Sequence, residues 1–364
     1  MNRRKFLTGA ATGVVAGAAA STLSAPAIAS GKRDLKMVTT WPKNFPGLGT
    51  GAQRVADRIT AASDGKLNVK LYAAGELVPP FESFDAVSSG TADMYHAAEY
   101  YWQGKHKAFN FFTAVPFGYT ANELDAWVQY GGGQELWDKL SGQFNLKSLM
   151  AGNTGVQMGG WYNKEINTLE DFKGLKIRMP GLGGEVLRRI GAAAVTLPGG
   201  EIFPSLESGA IDATEWVGPW NDLAFGFYKV TKYYYQPGFH EPGSGLACGM
   251  NKDVWESFSP DEQALVQSAC AAENNIMLSE YNAKNGDSLD VLLNKHNVEL
   301  RTFSQDIMDA LGAKSEEVVK EVGQTDDISK EIYNSYIDFR KKVSRWTKLS
   351  ESDYTAARDS ALKG

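Results

Sequence analysis

The sequence predicts an α/β chain of two lobes followed by long helices, and three observations carry that reading. A leader of 29 residues leaves about 335 for the folded part, too long for one ordinary hydrophobic core. Strand-like and helix-like stretches alternate through the first two thirds of the chain, the pattern of α/β units. The chain also repeats a phrase: Phe84 to Asp93 reads F-x-x-V-x-S-G-x-x-D, and Phe203 to Asp212 reads F-x-x-L-x-S-G-x-x-D. In each copy an apolar pair at i and i+3 marks a helix face, and Gly90 or Gly209 can take the left-handed conformation that ends it. A short strand should follow. The plain alternative is chance similarity of two helix ends. If the repeat is structural, two similar lobes aim a helix–strand unit at one cleft. Ligands of α/β sheets sit outside strand carboxyl ends, so residues 94–102 and 214–216 become site candidates.

The elements follow in order. Asn2-Arg3-Arg4-Lys5-Phe6-Leu7 is a twin-arginine signature, an Ala/Gly/Val stretch follows, and Ala27-Ile28-Ala29 is an A-x-A cleavage site. Residues 1–29 are therefore expected to be a cleaved signal for export to the periplasm, with no Cys nearby to suggest a lipoprotein. Leu35–Thr40 reads as a first strand stopped by Trp41-Pro42, 50–62 as a helix, and Leu67–Leu71 as a strand after the Asp64-Gly65 turn. Leu146–Met150 and Gln157–Trp161 read as strands around the bend 152–155. Thr168–Phe172 is a capped short helix, Gly174–Met179 a strand that carries Arg178, and Gly184–Ile190 a helix. Gly131-Gly132-Gly133 lacks the context of a phosphate cradle and reads as a loop between helices. Tyr233-Tyr234-Tyr235 reads as strand packing. Ser259-Pro260-Asp261-Glu262 is a strong helix start, with a helix of roughly 25–30 residues expected after it. Residues 305–322 and 326–346 have helical apolar spacing.

Charge narrows the partners. The whole chain carries a formal −6, and loss of Arg3, Arg4 and Lys5 with the leader makes it −9. An acidic chain without a basic run argues against nucleic acid and anionic lipid. Cys248 and Cys270 either pair or remain two buried thiols.

Arg178 at a strand end offers a guanidinium that can grip a carboxylate through two parallel hydrogen bonds. Glu215 and Trp216, within Thr214-Glu215-Trp216-Val217-Gly218-Pro219, place an acid beside an indole. A carboxylate next to an anionic ligand in a closed cleft costs several kcal/mol unless a cation neutralises it. Tyr100 brings a hydroxyl and Trp216 a flat wall. Tyr101 and Trp220 are as readily core residues as ligand contacts.

At these segments the chain resembles a known family. Asn153-Thr154-Gly155-Val156-Gln157-Met158-Gly159-Gly160-Trp161, Gly174-Leu175-Lys176-Ile177-Arg178 and Ile211-Asp212-Ala213-Thr214-Glu215-Trp216-Val217-Gly218-Pro219 resemble the substrate-binding subunits of TRAP (tripartite ATP-independent periplasmic) transporters. Glu76-Leu77-Val78-Pro79, Tyr100-Tyr101-Trp102, Tyr233-Tyr234-Tyr235 and Gly131-Gly132-Gly133 fit the same pattern, which runs from about residue 35 to the C-terminus and is nearest the 2-oxo-acid-binding type. The resemblance implies a two-lobed, type II-like periplasmic-binding-protein fold that closes on its ligand without doing chemistry. It divides the chain into lobe 1 (30–152 plus about 242–275), lobe 2 (153–241) and a helical C-terminal region (about 276–364). It implies delivery to small and large membrane permease subunits, and a homodimer joined through the C-terminal helices.

The resemblance also implies a site. Arg178 and Asn153 would bind the ligand's oxygens, with Tyr100, Trp216 and Gln157 around them. Gln157, Glu215, the backbone carbonyl of Trp216 and Glu241 would hold a metal ion, Na⁺ or Ca²⁺, as hard oxygen ligands. A 2-oxo monocarboxylate such as pyruvate or 2-oxobutyrate is the expected ligand, with a 2-hydroxy acid such as lactate, held with calcium, as the alternative. A third reading is a periplasmic enzyme using Glu215, His240 and Glu241 as acid and base. Two residues depart from the pattern: Glu99 stands where a small residue is expected, and His240 where an aromatic is expected. Both are expected to alter the cavity wall, and His240 to make binding depend on pH between 6 and 8.

Overall fold

The computed structural model describes residues 31–362, so the expected signal at 1–29 lies outside the described residues. The chain runs β1 (Arg33–Thr39), α1 (Leu48–Ala62), β2 (Leu67–Tyr72), α2 (Ser83–Ser88), β3 (Met94–Ala97), α3 (Asn110–Thr113), α4 (Ala121–Tyr130), α5 (Gly133–Gly142) and β4 (Leu146–Asn153). It continues through β5 (Gly160–Tyr162), β6 (Lys176–Arg178), α6 (Gly181–Arg189), β7 (Ala193–Val195), α7 (Gly199–Glu207), β8 (Ala213–Thr214), α8 (Pro219–Phe225) and β9 (Tyr233–Gln236). The last third is β10 (Gly245–Asn251), α9 (Lys252–Glu256), α10 (Pro260–His296), β11 (Glu299–Thr302), α11 (Gln305–Val322), α12 (Asp327–Thr347) and α13 (Asp353–Leu362).

Two mixed sheets organise these elements. The first has the order β2-β1-β3-β10-β4, the second β11-β9-β5-β8-β6-β7. Each contains a parallel trio, β2-β1-β3 or β7-β6-β8, followed by one antiparallel strand. The repeated phrase builds both trios. Gly90 (φ 80°) and Gly209 (φ 71°) end α2 and α7 in the left-handed region, where a side chain would be strained. Asp93 then exchanges hydrogen bonds with Lys36: its backbone N–H donates to the Lys36 carbonyl, and its carboxylate accepts from the Lys36 N–H at 2.7 Å. Asp212 repeats both bonds with Lys176, the carboxylate accepting at 3.0 Å. The closing Asp of the phrase thus pins the start of β3 to β1 and of β8 to β6. The sequence repeat is a structural repeat.

The middle strands are exchanged. From β4, at the edge of the first sheet, the chain crosses to β5 inside the second; from β9 it crosses back to β10 inside the first. The two crossing segments pair with each other. Gln157 N–H donates to the Glu241 carbonyl (3.1 Å), Gly238 N–H to the Gln157 carbonyl (3.1 Å) and Thr154 N–H to the Ser244 carbonyl (3.2 Å). Gln157 and Glu241 therefore sit on the hinge itself.

Helix α10 starts at the Ser259–Glu262 capping box and runs 37 residues to Asn297, whose left-handed backbone (φ 52°) stops it. It is longer than the expected 25–30 residues, so a boundary at residue 275 falls inside a continuous helix. It packs on β4 and α1 of the first lobe and on α8 of the second. The region after 276 is not wholly helical: β11 pairs in parallel with β9 and extends the second sheet. Four residues reading Glu-Leu-Arg-Thr are too short for periodicity to reveal; the return of the chain after α10 brings them to the sheet edge. Cys248 and Cys270 are free and buried within the core of the first lobe.

Candidate ligand and cation site

Every group at the site is carried to the cleft by a strand end or by the hinge. Arg178 ends β6 and lies in register with Thr214 on β8, so Glu215 follows directly beside it. Tyr100 and Tyr101 stand on the single helical turn after β3, the equivalent place in the first lobe. Gln157 comes from one crossing segment, His240 and Glu241 from the other.

Arg178 is fully buried. Its Nη1 donates to the Glu215 carbonyl at 3.0 Å and makes a short ion pair with the Glu215 carboxylate. Nε donates to the Leu197 carbonyl (3.3 Å) and Nη2 to the Tyr101 hydroxyl (3.3 Å). The guanidinium also lies 5.0 Å from the centroid of the Trp216 ring, a cation–π contact. The other carboxylate oxygen of Glu215 meets His240 Nε2 at 3.1 Å. Gln157 donates its Nε2 to Glu241 at 2.8 Å and to the Thr154 hydroxyl at 3.1 Å. One donor atom from each of Glu215, His240 and Glu241 lies within 4.8 Å of the other two.

The electrostatics are those of a crowded, buried cluster. Burial, then the neighbouring charge of Glu215, pushes the Glu241 carboxyl up to about 7. Burial opposes the charge on His240, but its bond to Glu215 and the charges of Glu215 and Glu241 together outweigh this and hold the imidazole above its ordinary range. Arg178 is likewise held above its ordinary value: burial opposes its charge, but Glu215, with Tyr101, Tyr100 and Glu241, together outweigh that cost. Gln157 Oε1, His240 Nδ1 and Trp216 Nε1 are buried with no hydrogen-bond partner. An orphaned amide oxygen on a residue bonded to Glu241, beside the acids Glu215 and Glu241, is a donor set in want of a cation, and hard oxygens of this kind fit Na⁺ or Ca²⁺.

The space between the lobes beside this cluster is ≈ 10 Å³, room for about one water. Trp41, Leu48, Ala98, Tyr100, Tyr101 and Leu246 line it from the first lobe, Trp216 and Val217 from the second, with Thr154, Gln157 and Ser244 from the hinge. The lobes meet across it: the Trp41 and Trp216 rings are edge-on at 6.1 Å. Larger depressions of ≈ 490 Å³ between α11 and α12 and ≈ 340 Å³ beside His296 hold no comparable group of buried charges. Convergent polar groups, not volume, identify the site.

The structure brings Arg178, Tyr100, Gln157, Glu215, Trp216 and Glu241 together. Asn153 is set apart: its side-chain carbonyl accepts from Gly155 N–H at 2.9 Å, and it lines a neighbouring ≈ 180 Å³ cavity with Asp125 and Asn274. Two expectations are corrected. Arg178, expected as the ligand's partner with Glu215 assigned to the ion, is itself paired with Glu215, because the register of β6 and β8 makes them neighbours. Glu99 does not reach the cavity. It points into the first lobe and accepts from Tyr95, Ser148 and Trp137, each at 2.6 Å, so three donors satisfy a buried acid. His240 does face the site. Trp41, Leu48 and Leu246 went unrecognised; the position of Trp41 just past the end of β1 was the available signal.

The model of the bacterial extracellular solute-binding protein family 7 matches residues 37–326. The chain is similar to a monocarboxylate 2-oxoacid-binding periplasmic protein of Nostoc sp., 41% identical over 319 residues, 88% of this chain and 87% of that protein. A TRAP periplasmic solute-binding protein of Pseudoalteromonas atlantica, solved with bound sodium and pyruvate, is 39% identical with a TM-score of 0.86 and covers 89% of this chain and 99% of its own. Its counterpart from Colwellia psychrerythraea, solved with calcium and pyruvate, has the same identity of 39% and TM-score of 0.86, covering 90% of this chain and 99% of its own. A TRAP transporter solute-binding protein of Bordetella bronchiseptica, a mixed-occupancy dimer with calcium and picolinate in one site, is 34% identical with a TM-score of 0.89, covering 92% of this chain and 99% of its own.

Proposed function

This chain belongs to family 7 of the bacterial extracellular solute-binding proteins, the solute receptors of TRAP transporters, and from that premise we propose that it captures a small 2-oxo monocarboxylate of the pyruvate type together with a cation. The family is one of transport receptors, which overturns the reading of Glu215, His240 and Glu241 as acid–base machinery. The observation that carries the proposal is the buried set of Arg178, Glu215, Glu241 and the orphaned Gln157 Oε1 at the point where both lobes and both hinge segments converge.

Gln157, Glu215, the Trp216 carbonyl and Glu241 would hold Na⁺ or Ca²⁺. When bound, the ion neutralises the two acids and offers the adjacent oxygens of a 2-oxo acid a common partner. Arg178 turns its guanidinium to the ligand carboxylate, giving up part of its hold on Glu215 and Tyr101. Trp216 keeps the guanidinium in place from one side, Tyr100 presents its hydroxyl, and Trp41, Leu48 and Leu246 exclude water around the alkyl end. Asn153 would join by a local rearrangement of the hinge. The space of ≈ 10 Å³ requires the lobes to part before a ligand enters, and the paired crossing segments are where they turn.

The lobes divide near residues 152 and 242. The chain reaches the periplasm by the twin-arginine route with residues 1–29 removed, and delivers its ligand to the permease subunits. It works as a homodimer through its C-terminal helices: Trp346, Leu349, Tyr354 and Leu362 leave a run of large apolar groups exposed there. Among the described residues no helix is long and apolar enough to cross a membrane.

The test is intrinsic tryptophan fluorescence during titration with pyruvate, lactate and a dicarboxylate, with and without chelator, Na⁺ and Ca²⁺. A saturable, cation-dependent response to pyruvate with the ligand recovered intact is expected. Turnover, or a response to the dicarboxylate alone, overturns the proposal.

A further inference from the structure

The chain has four histidines. His96 has both ring nitrogens in hydrogen bonds, to Trp41 and to the Ala151 carbonyl. His106 bonds Asp326 and Ala108, and His296 stacks on Tyr228. His240 differs: it is 2% exposed, its Nε2 rests on Glu215, and its Nδ1 has no partner. The backbone is arranged to keep it there. Gly183 on α6 backs the residue, and a Cβ at that position would come within 2.6 Å of the His240 Cβ.

We propose that His240 contributes an imidazole nitrogen to the cation site, so that this protein takes borderline divalent ions, Co²⁺ and Zn²⁺, in addition to the hard ions Na⁺ and Ca²⁺. The inference rests on the cation reading given above and goes beyond it in the class of ion. One ring nitrogen of His240 lies within 4.8 Å of donor oxygens of both Glu215 and Glu241, a span that one ion can bridge with small side-chain rotations. Gln157 Oε1, buried and unpartnered, supplies a further donor. Na⁺ and Ca²⁺ are held by oxygen ligands and gain little from an imidazole, whereas Co²⁺ and Zn²⁺ favour it. Two carboxylates, an amide oxygen and one imidazole form a mixed N/O set that suits these ions. On binding, the proton that His240 Nε2 shares with Glu215 is released to solvent, the freed lone pair replaces a water on the ion, and the hydrogen bond between His240 and Glu215 is exchanged for two bonds to the metal.

The experiment uses the full exported chain stripped of metal. Co²⁺ is added and proton NMR searched for a hyperfine-shifted, exchangeable imidazole N–H; Co²⁺, Zn²⁺ and Ca²⁺ affinities are measured by calorimetry for the wild type, His240→Phe and His240→Gln. A shifted N–H in the wild type, its loss in both variants, and a fall of at least about tenfold in Co²⁺ and Zn²⁺ affinity with Ca²⁺ changed less than about threefold are expected. No shifted signal in the wild type, which needs no variant to fold, overturns the proposal. Equal losses for all three ions overturn it as well, since His240 would then be orienting Glu215. Pyruvate binding is followed separately by fluorescence with Ca²⁺ present. If pyruvate fails to bind while Co²⁺ still finds His240, the receptor reading falls and this one stands; if pyruvate binds and Co²⁺ ignores His240, the reverse holds.

Discussion

Arg178 is held in place by its neighbours. Its charge is matched by Glu215 within a buried pair, so removing the guanidinium strands a buried carboxylate as well as deleting the ligand's partner. Breaking one side of such a pair costs about 3–5 kcal/mol. Arg178→Ala is therefore expected to weaken pyruvate by more than about a hundredfold in the fluorescence titration; unchanged affinity would remove Arg178 from the site. Lys at this position keeps the charge and loses the fork, so Arg178→Lys should recover only part of the binding.

His96 gives a residue-scale prediction about pH. It is buried, donates Nε2–H to the Ala151 carbonyl (3.1 Å) and accepts the Trp41 indole N–H at Nδ1 (2.9 Å). Burial pushes it down to about 4 from 6.5. The unfolded chain takes up the proton near 6.5 and the folded chain near 4, so its contribution to stability is whole above 6.5 and is lost as pH falls from there to 4. The loss is about 3 kcal/mol at most. Urea unfolding of wild type and His96→Gln between pH 7 and 4 should show the wild type losing more stability; parallel curves would contradict this. Of the site residues, the types Arg, Glu, Gln and Trp were legible in the sequence because each sits in a distinctive local phrase. The contact between Arg178 and Glu215 was not, because sequence spacing of 37 residues says nothing about register.

At the scale of elements, the strands that close the first sheet tolerate little extra bulk. Gly249 on β10 lies opposite Tyr95 on β3, and a Cβ there would come within 2.0 Å of the ring. Gly249→Ala is expected to destabilise by about 1–3 kcal/mol, read as a lower urea midpoint with an unchanged slope. An unaltered midpoint would show that the ring moves freely. Elements with strong local signals were placed well from sequence. The Ser259-Pro260 start of α10 is a cap in the structure, and 305–322 is a helix over those residues. The Gln157–Trp161 strand was placed too early, since its first residues form the crossing segment and the strand is Gly160–Tyr162. Backbone bonding to residues 238 and 241, not local propensity, decides that stretch.

For the whole molecule, closure depends on contacts between lobes. Asn221, fully buried on α8, donates to the Pro46 carbonyl of the first lobe at 3.0 Å and accepts from the Tyr281 hydroxyl of α10 at 2.8 Å. Asn221→Ala removes both and leaves two polar groups unpaired, about 1–3 kcal/mol each. The closed form should lose population: small-angle scattering of the ligand-free variant is expected to show a larger radius of gyration than the wild type, and saturating ligand should restore it. Identical profiles would mean that other contacts hold the lobes.

Local and repeated features of the sequence determined a great deal by themselves: two α/β lobes, the helix–strand phrase in each, the start of the long helix, the family segments and the residue types of the site. These depend on side-chain periodicity, capping and composition, all written within a few neighbouring residues. The tertiary structure alone decided that β5 and β10 are exchanged between sheets, that β11 joins the second, that Glu99 turns inward, and that Arg178 is already paired. Each of these is a contact between distant segments, set by strand register and chain crossing, which a linear pattern does not encode.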